Sequence, residues 1–217
     1  MRIAVLGSGM VGSAIGAKLV QLGHDVRMGS RSAQNEKAVA WAKAGGQRAS
    51  YGTFADAAAI GELVFNCTRG DSTLDALEQA GARHLSGKIL IDVSNPLDFS
   101  RGMPPTLFAG NTDSLGEQIQ RKFPEAKVVK SLNTVNCELM VNPRRLRDGD
   151  HDIFVSGNDA EAKARVAEIL RSWFGWKNVI DLGDITTARR TESYLALWVR
   201  LFGAFRTAEL NVKVVRG

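Results

Sequence analysis

Short apolar runs alternate along this chain with stretches of helical spacing. Arg2-Ile-Ala-Val-Leu6, Asp25-Val-Arg-Met28, Leu63-Val-Phe-Asn66, Lys88-Ile-Leu-Ile-Asp92 and Lys127-Val-Val-Lys-Ser-Leu132 read as strands, with a weaker one near Arg48–Tyr51. Helices are predicted between them: up to Gly23 after the first strand, over Asn35–Ala44 with a stop at Gly45-Gly46, over Phe54–Ile60 with Thr53 as cap, over Ser72–Ala80 and over Asn111–Arg121. Two more strands, Asp152–Val155 and Val179–Asp181, flank a helix over Ala160–Phe174. This alternation predicts an α/β chain of the Rossmann type, a doubly wound and mainly parallel sheet with a small C-terminal helical extension. The expected division is a dinucleotide-binding domain over residues 1–183 and a helical segment over 184–217.

The segment Leu97–Thr112 has no period and holds Pro104-Pro105, which predicts a long loop over the ligand face. From Thr187 onward a long helix is expected. Leu195, Trp198, Phe202 and Phe205 form one apolar stripe, and Tyr194, Leu197, Leu201, Ala204 and Ala208 form a second beside it. Two adjacent stripes exceed what one sheet contact needs, so this helix is expected to wall the site and to seat a second subunit, giving a homodimer. Arg189, Arg190, Arg200 and Arg206 flank it, to meet an acidic cosubstrate or as its wet face.

Composition narrows the class. The 217 residues carry a formal charge of +5, but no basic stripe with interleaved aromatics accompanies it, so no nucleic-acid partner is expected. Arg144-Arg145-x-Arg147 reads as a solvated loop. Cys67 and Cys137 lack metal-ligand spacing, and His24, His84 and His151 are scattered, which predicts no metal site. Cys67 ends an apolar strand and reads as a structural thiol. No run reaches the ~20 apolar residues of a membrane helix. No leader is read at the N-terminus, and a cytoplasmic protein without a membrane partner is expected.

The first strand runs into Gly7-Ser8-Gly9-Met10-Val11-Gly12, a Gly-x-Gly-x-x-Gly turn between strand and helix. Gly7 allows the tight turn, Gly9 lets the backbone approach a pyrophosphate, and Gly12 lets the helix pack close to the sheet. The helix N-terminus then offers free N–H groups to phosphates. Gly16 is expected to serve helix–strand packing.

The end of the second strand selects the nucleotide. An NAD site places Asp or Glu there to hold the ribose hydroxyls. Here the chain reads Gly29-Ser30-Arg31-Ser32, with no carboxylate before Glu36. Ser30, Arg31 and Ser32 suit a 2′-phosphate, which Arg31 can grip through its planar fork. The expected cofactor is NADP(H). Ligands of such sheets bind beyond the carboxyl ends of the strands, so Thr68-Arg69, Ser94-Asn95-Pro96 and Asn133 to Val135 are further candidate contacts.

The chain also resembles a family, the NADP oxidoreductases that depend on the deazaflavin coenzyme F-420, with the related bacterial dinucleotide-binding proteins. Gly7–Gly12 with Leu22-Gly23-His24, Gly29-Ser30-Arg31, Ser100-Arg101-Gly102, Val129-Lys130-Ser131-Leu132-Asn133-Thr134, Gly157-Asn158-Asp159 and the closing helix Thr187–Val214 carry the resemblance in order along nearly the whole chain. It implies hydride transfer between NADP(H) and F-420 with no protein nucleophile. Ser30 and Arg31 would bind the 2′-phosphate, and Asn133 to Val135 would border the ring stack. The archaeal F-420 enzymes have His and Pro where this chain reads Asn133 and Asn136. The second redox partner is therefore F-420, a flavin, a quinone, or a small carbonyl or imine. A module that senses NADP(H) without turning it over is the alternative from another class; a ring-sized space beside the nicotinamide would separate the two.

Overall fold

The computed structural model describes residues 1–217. Its main sheet has 8 strands. The first half is built from β1 (Arg2–Leu6), α1 (Met10–Gln21), β2 (Asp25–Ser30), α2 (Glu36–Gly45), β3 (Ala49–Thr53), α3 (Phe54–Ile60), β4 (Leu63–Asn66), α4 (Thr73–Ala80), the one-turn α5 (Ala82–Leu85) and β5 (Ile89–Asp92). The second half adds β6 (Leu97–Asp98), β7 (Thr106–Leu107), α6 (Leu115–Lys122), β8 (Lys127–Ser131), α7 (Cys137–Val141), β9 (Asp152–Gly157), α8 (Ala160–Ile169), β10 (Asn178–Asp181) and α9 (Ala188–Phe205).

The strand order is β10-β9-β8-β5-β4-β1-β2-β3. From β3 to β8 every pairing is parallel; β9 then runs antiparallel to β8, and β10 parallel to β9. The order reverses between β1 and β4, so the ends of these two neighbouring strands open the crevice where such sheets bind ligands. The strands are apolar on both faces because helices cover both, and β4 is buried at every position. One core holds Ile3, Val5, Phe65, Val129 and Trp176, and the second holds Ala4, Leu6, Val64, Leu90 and Val128. Alternate residues of each strand thus feed opposite cores.

Local signals behave as expected at α3, where Thr53 and Asp56 form a reciprocal capping box. Four details differ from the sequence expectation. Gly16 serves helix–helix packing: a Cβ there would lie 2.7 Å from the Trp41 ring on α2. The stretch Leu97–Thr112 contains a small antiparallel hairpin, β6 with β7. α6 starts at Leu115, because Ser114 accepts a hydrogen bond from the Glu117 N–H and caps the helix there. The closing helix ends at Phe205, where Arg206 turns left-handed at φ 53°, and the chain beyond it folds back. The Asp152 N–H donates to the Val212 carbonyl at 3.1 Å, and the Val214 N–H donates to the Asp152 carboxylate at 2.6 Å.

α9 buries only its first half. Ala188, Thr191, Glu192 and Leu195 are buried, whereas Leu197, Phe202 and Phe205 are exposed. Trp198 and Phe202 stack on each other with ring centroids 5.6 Å apart. The Trp198 Nε1 and Tyr194 hydroxyl are buried without a hydrogen-bond partner. No helix is long and apolar enough to cross a membrane.

Candidate functional site

The chain leaves β1 through Gly7 at φ 115°, a left-handed backbone that only glycine adopts without strain. The Gly7 N–H donates to the Gly29 carbonyl at 2.8 Å, and the Cys67 N–H to the Leu6 carbonyl at 2.8 Å, so the turn is an extension of the sheet ladder. A Cβ on Gly12 would lie 1.9 Å from the Gly7 carbonyl oxygen. Gly12 therefore lets α1 close onto the turn itself. At Gly9 a Cβ would meet nothing within 4 Å. The space above Gly9 is open, in keeping with the approach of a ligand rather than of the protein's own atoms.

Gly9 is the N-cap residue of α1; no side chain caps this terminus and no acidic residue sits in its first turn. The first N–H groups of a helix have no partner within it, so this end offers donors and partial positive charge to an anion. The N-terminus of α2 lies beside it. Asn35 caps α2 through the Ala38 N–H and also accepts a hydrogen bond from the Ser8 hydroxyl at 3.0 Å. The glycine turn and the start of α2 are thus tied together by one amide side chain.

A cavity of about 430 Å³ lies between these elements, bordered by Gly7, Ser8, Gly9, Ser30, Arg31, Asn35, Thr68 and Arg69 among others. Ser30 is buried and its hydroxyl donates to the Ser32 carbonyl at 2.7 Å, which fixes the loop after β2. Arg31 is exposed and makes no ion pair, whereas Arg69 pairs with Asp71 at 2.5 Å. A second cavity of about 160 Å³ is bordered by Val11, Cys67, Thr68, Arg69, Ser94, Asn95 and Phe99 among others. Cys67, Thr68 and Arg69 border both, so the two form one crevice across the ends of β1, β4 and β5. Burial pushes the Cys67 thiol far above its ordinary range, with the Asp92 carboxylate adding to the effect, so the thiol stays neutral.

Most of the sequence-predicted residues meet here, and some do not. Met10 is exposed on the first turn of α1, and Ser32 is exposed on its loop. Pro96 and Val135 are buried, Val135 within the apolar core, and neither borders either of these two cavities. Asn133 is buried and exchanges two hydrogen bonds with Asn95: the Asn133 Nδ2 donates to Asn95 Oδ1 at 3.0 Å, and the Asn95 Nδ2 to the Asn133 carbonyl at 2.9 Å. Asn133 therefore acts on the crevice through Asn95.

A buried charge cluster lies under this rim and went unread in the sequence. Lys130 on β8 is 1% exposed and donates to Asp92 at 2.7 Å, to Glu192 of α9 at 2.7 Å and to the Ser94 carbonyl at 2.5 Å. Burial works against the ammonium, but Asp92 and Glu192 outweigh it and hold Lys130 above its ordinary value. Asp92 also accepts from the Asn66 Nδ2 and the Ser94 hydroxyl, both at 2.7 Å. Glu192 accepts from the N–H groups of Leu115 and Gly116 at 2.8 and 3.0 Å, at the start of α6. The signals were a lysine inside a strand core and a glutamate on the buried face of a helix. Arg189 is spent in the same contact: its fork grips Glu117 at 2.6 and 2.8 Å and holds that carboxyl below the usual range.

The model of the family described as NADP oxidoreductase, coenzyme F420-dependent, matches residues 2–96. A solved structure of a candidate F420-dependent NADP reductase from Arthrobacter sp. FB24 is 54% identical, superposes with a TM-score of 0.95, and is covered over 100% of both chains. The chain belongs to this family. The rat metalloreductase STEAP3 is 29% identical over 212 residues, 96% of this chain and 38% of that protein. The chain thus spans well under half the length of that relative. A reductive aminase from Aspergillus terreus, solved with NADPH and ethyl levulinate, is 18% identical with a TM-score of 0.64 over 94% of this chain and 62% of that one, and shares the fold. Family membership puts the protein among the NADP-dependent oxidoreductases, and the glycine turn of β1–α1 lies inside the matched region.

The glycines give opposite expectations for substitution. Gly9→Val should leave the melting temperature of the free protein near wild type and abolish NADP(H) binding in calorimetry. Gly12→Val should lower stability by about 3 kcal/mol or more in denaturant unfolding, because the new side chain overlaps backbone. Equal effects of the two on stability would contradict the geometry.

Proposed function

We propose that this protein transfers a hydride between NADP(H) and a second redox cofactor or small acceptor, with the deazaflavin F-420 as first candidate and a flavin next. The observation that carries the reading is the end of β2. An exposed, unpaired Arg31 stands beside the large cavity, next to Ser30, with no carboxylate at that position. A carboxylate there would repel a 2′-phosphate, whereas a guanidinium binds it through charge-assisted hydrogen bonds. Gly7 to Gly12 and the open α1 terminus would hold the pyrophosphate, and Ser30, Arg31 and Ser32 the 2′-phosphate. Thr68, Arg69, Ser94 and Asn95 would border the nicotinamide end.

NADPH, when bound, supplies the hydride from its nicotinamide ring. The chain's own residues bind, orient and exclude water. No side-chain nucleophile is required, in keeping with a Cys67 thiol kept neutral. The second cavity supports turnover rather than mere sensing, because it leaves space at the nicotinamide end of the crevice. Both cysteines are free, which suits a cytoplasmic location.

We assign residues 1–183 to the dinucleotide-binding domain and 184–217 to a segment that walls the site and joins two subunits. The exposed Leu197, Phe202 and Phe205 on α9 support a second copy as the cover of this face.

Stopped-flow NADPH oxidation against F-420, FMN, FAD, quinones and imines should give rapid turnover with a ring cofactor; binding of NADPH without oxidation by any of these would refute the hydride-transfer reading. Arg31→Glu should weaken NADP(H) binding by about 2–5 kcal/mol in calorimetry, since an attractive contact becomes a repulsive one. Unchanged affinity would remove the 2′-phosphate assignment. For the subunit contact, Phe202→Asp should elute as a folded monomer where wild type elutes as a dimer, and an unchanged elution volume would rule the α9 seam out.

A further inference from the structure

From the buried cluster at Lys130 we infer that this lysine is a positioning residue for the nicotinamide end of the crevice, holding the Ser94–Asn95 rim in place and linking it to α9. The inference rests on the assignment of the second cavity to the nicotinamide.

Ser94 has all of its polar groups anchored. Its N–H and hydroxyl donate to Asp92 at 3.2 and 2.7 Å, and its carbonyl accepts from the Lys130 Nζ at 2.5 Å. The next residue, Asn95, borders the second cavity and is clamped by Asn133. Lys130 also meets Glu192, whose carboxylate receives the first N–H groups of α6. One ammonium therefore connects the end of β5, the rim of the cavity and the helix proposed to wall the site. A buried ammonium needs three acceptors, and the third acceptor here is the carbonyl of the loop that runs into the cavity-lining Asn95.

The larger cavity is anchored differently. Ser30 bonds within its own loop, and Ser8 bonds to Asn35. Loss of the Lys130 donors should therefore act on one end of the crevice and spare the other. The carboxylates left behind keep other donors, Asn66 and Ser94 for Asp92 and two backbone N–H groups for Glu192, which supports folding of the variant.

The test compares two ligands by calorimetry. Adenosine 2′,5′-bisphosphate occupies only the adenosine end, whereas NADPH occupies both. In Lys130→Met, the Kd for the bisphosphate should stay within twofold of wild type while the Kd for NADPH rises at least tenfold. The double variant Lys130→Met/Glu192→Gln removes one charge of each sign and should show the same split; it decides the matter if the single variant does not fold. NADPH affinity within twofold of wild type, or an equal rise for both ligands, would overturn the positioning role. A wild-type protein that binds neither ligand would instead overturn the NADP(H) reading beneath it.

Discussion

One lysine with two carboxylates, all sealed from water, sets how the two halves of this protein meet. Lys130 comes from the middle of the sheet, Asp92 from the end of a neighbouring strand and Glu192 from the closing helix. Burying charges is costly, and pairing repays that cost only when geometry and extra hydrogen bonds are good. Here each group is saturated: the ammonium has three acceptors, and both carboxylates take donors beyond the lysine. The cluster's value lies less in net stability than in allowing one arrangement of strand end, loop and helix. A slide of α9 along its axis would withdraw Glu192 from one Lys130 donor and from the Leu115 and Gly116 N–H groups, and buried polar groups without partners are penalised.

The crevice across the ends of β1, β4 and β5 rests on the opposite strategy, in which groups are left unpaired at the surface. The α1 terminus has no cap, Arg31 has no carboxylate partner, and the space over Gly9 is open. Such features cost little while exposed to water and become favourable when an anion arrives. Of the two arginines that border the larger cavity, Arg69 pairs with Asp71 whereas Arg31 has no carboxylate partner, which leaves its guanidinium available to an anion.

The grouping of the glycine turn with the end of β2 around the larger cavity was legible in the sequence because its physics is local. Gly7, Gly9 and Gly12 act through backbone within a single turn, and Ser30 and Arg31 lie directly after a strand of clear pattern. The parallel order of β1 to β5 followed from the same alternation. Other features needed tertiary knowledge. That Gly16 faces Trp41 depends on how α2 crosses α1. The reversal of β9 relative to β8 leaves no mark in either strand's apolar pattern, since both directions bury the same residues. Lys130 sits in a strand whose neighbours are valines, and its partners come from 38 and 62 residues away in the chain (92 to 130, 130 to 192), beyond any local signal. Pro96 and Val135 follow strand ends as site residues would, yet both are buried, Val135 within the apolar core.

The bond between the Ser8 hydroxyl and Asn35 has a bearing on redesign. It makes the glycine turn, proposed to hold the pyrophosphate, and the loop after β2, proposed to select the coenzyme, a single mechanical unit, with Asn35 serving as hinge pin and helix cap together. On the proposed assignment, an effort to convert coenzyme preference by exchanging the whole stretch from Ser30 to Asn35 would also loosen the turn that meets the diphosphate common to both coenzymes. Exchanges confined to Ser30, Arg31 and Ser32 would leave that turn intact, so the proposed site would allow selectivity and overall affinity to be separated only on one side of residue 35.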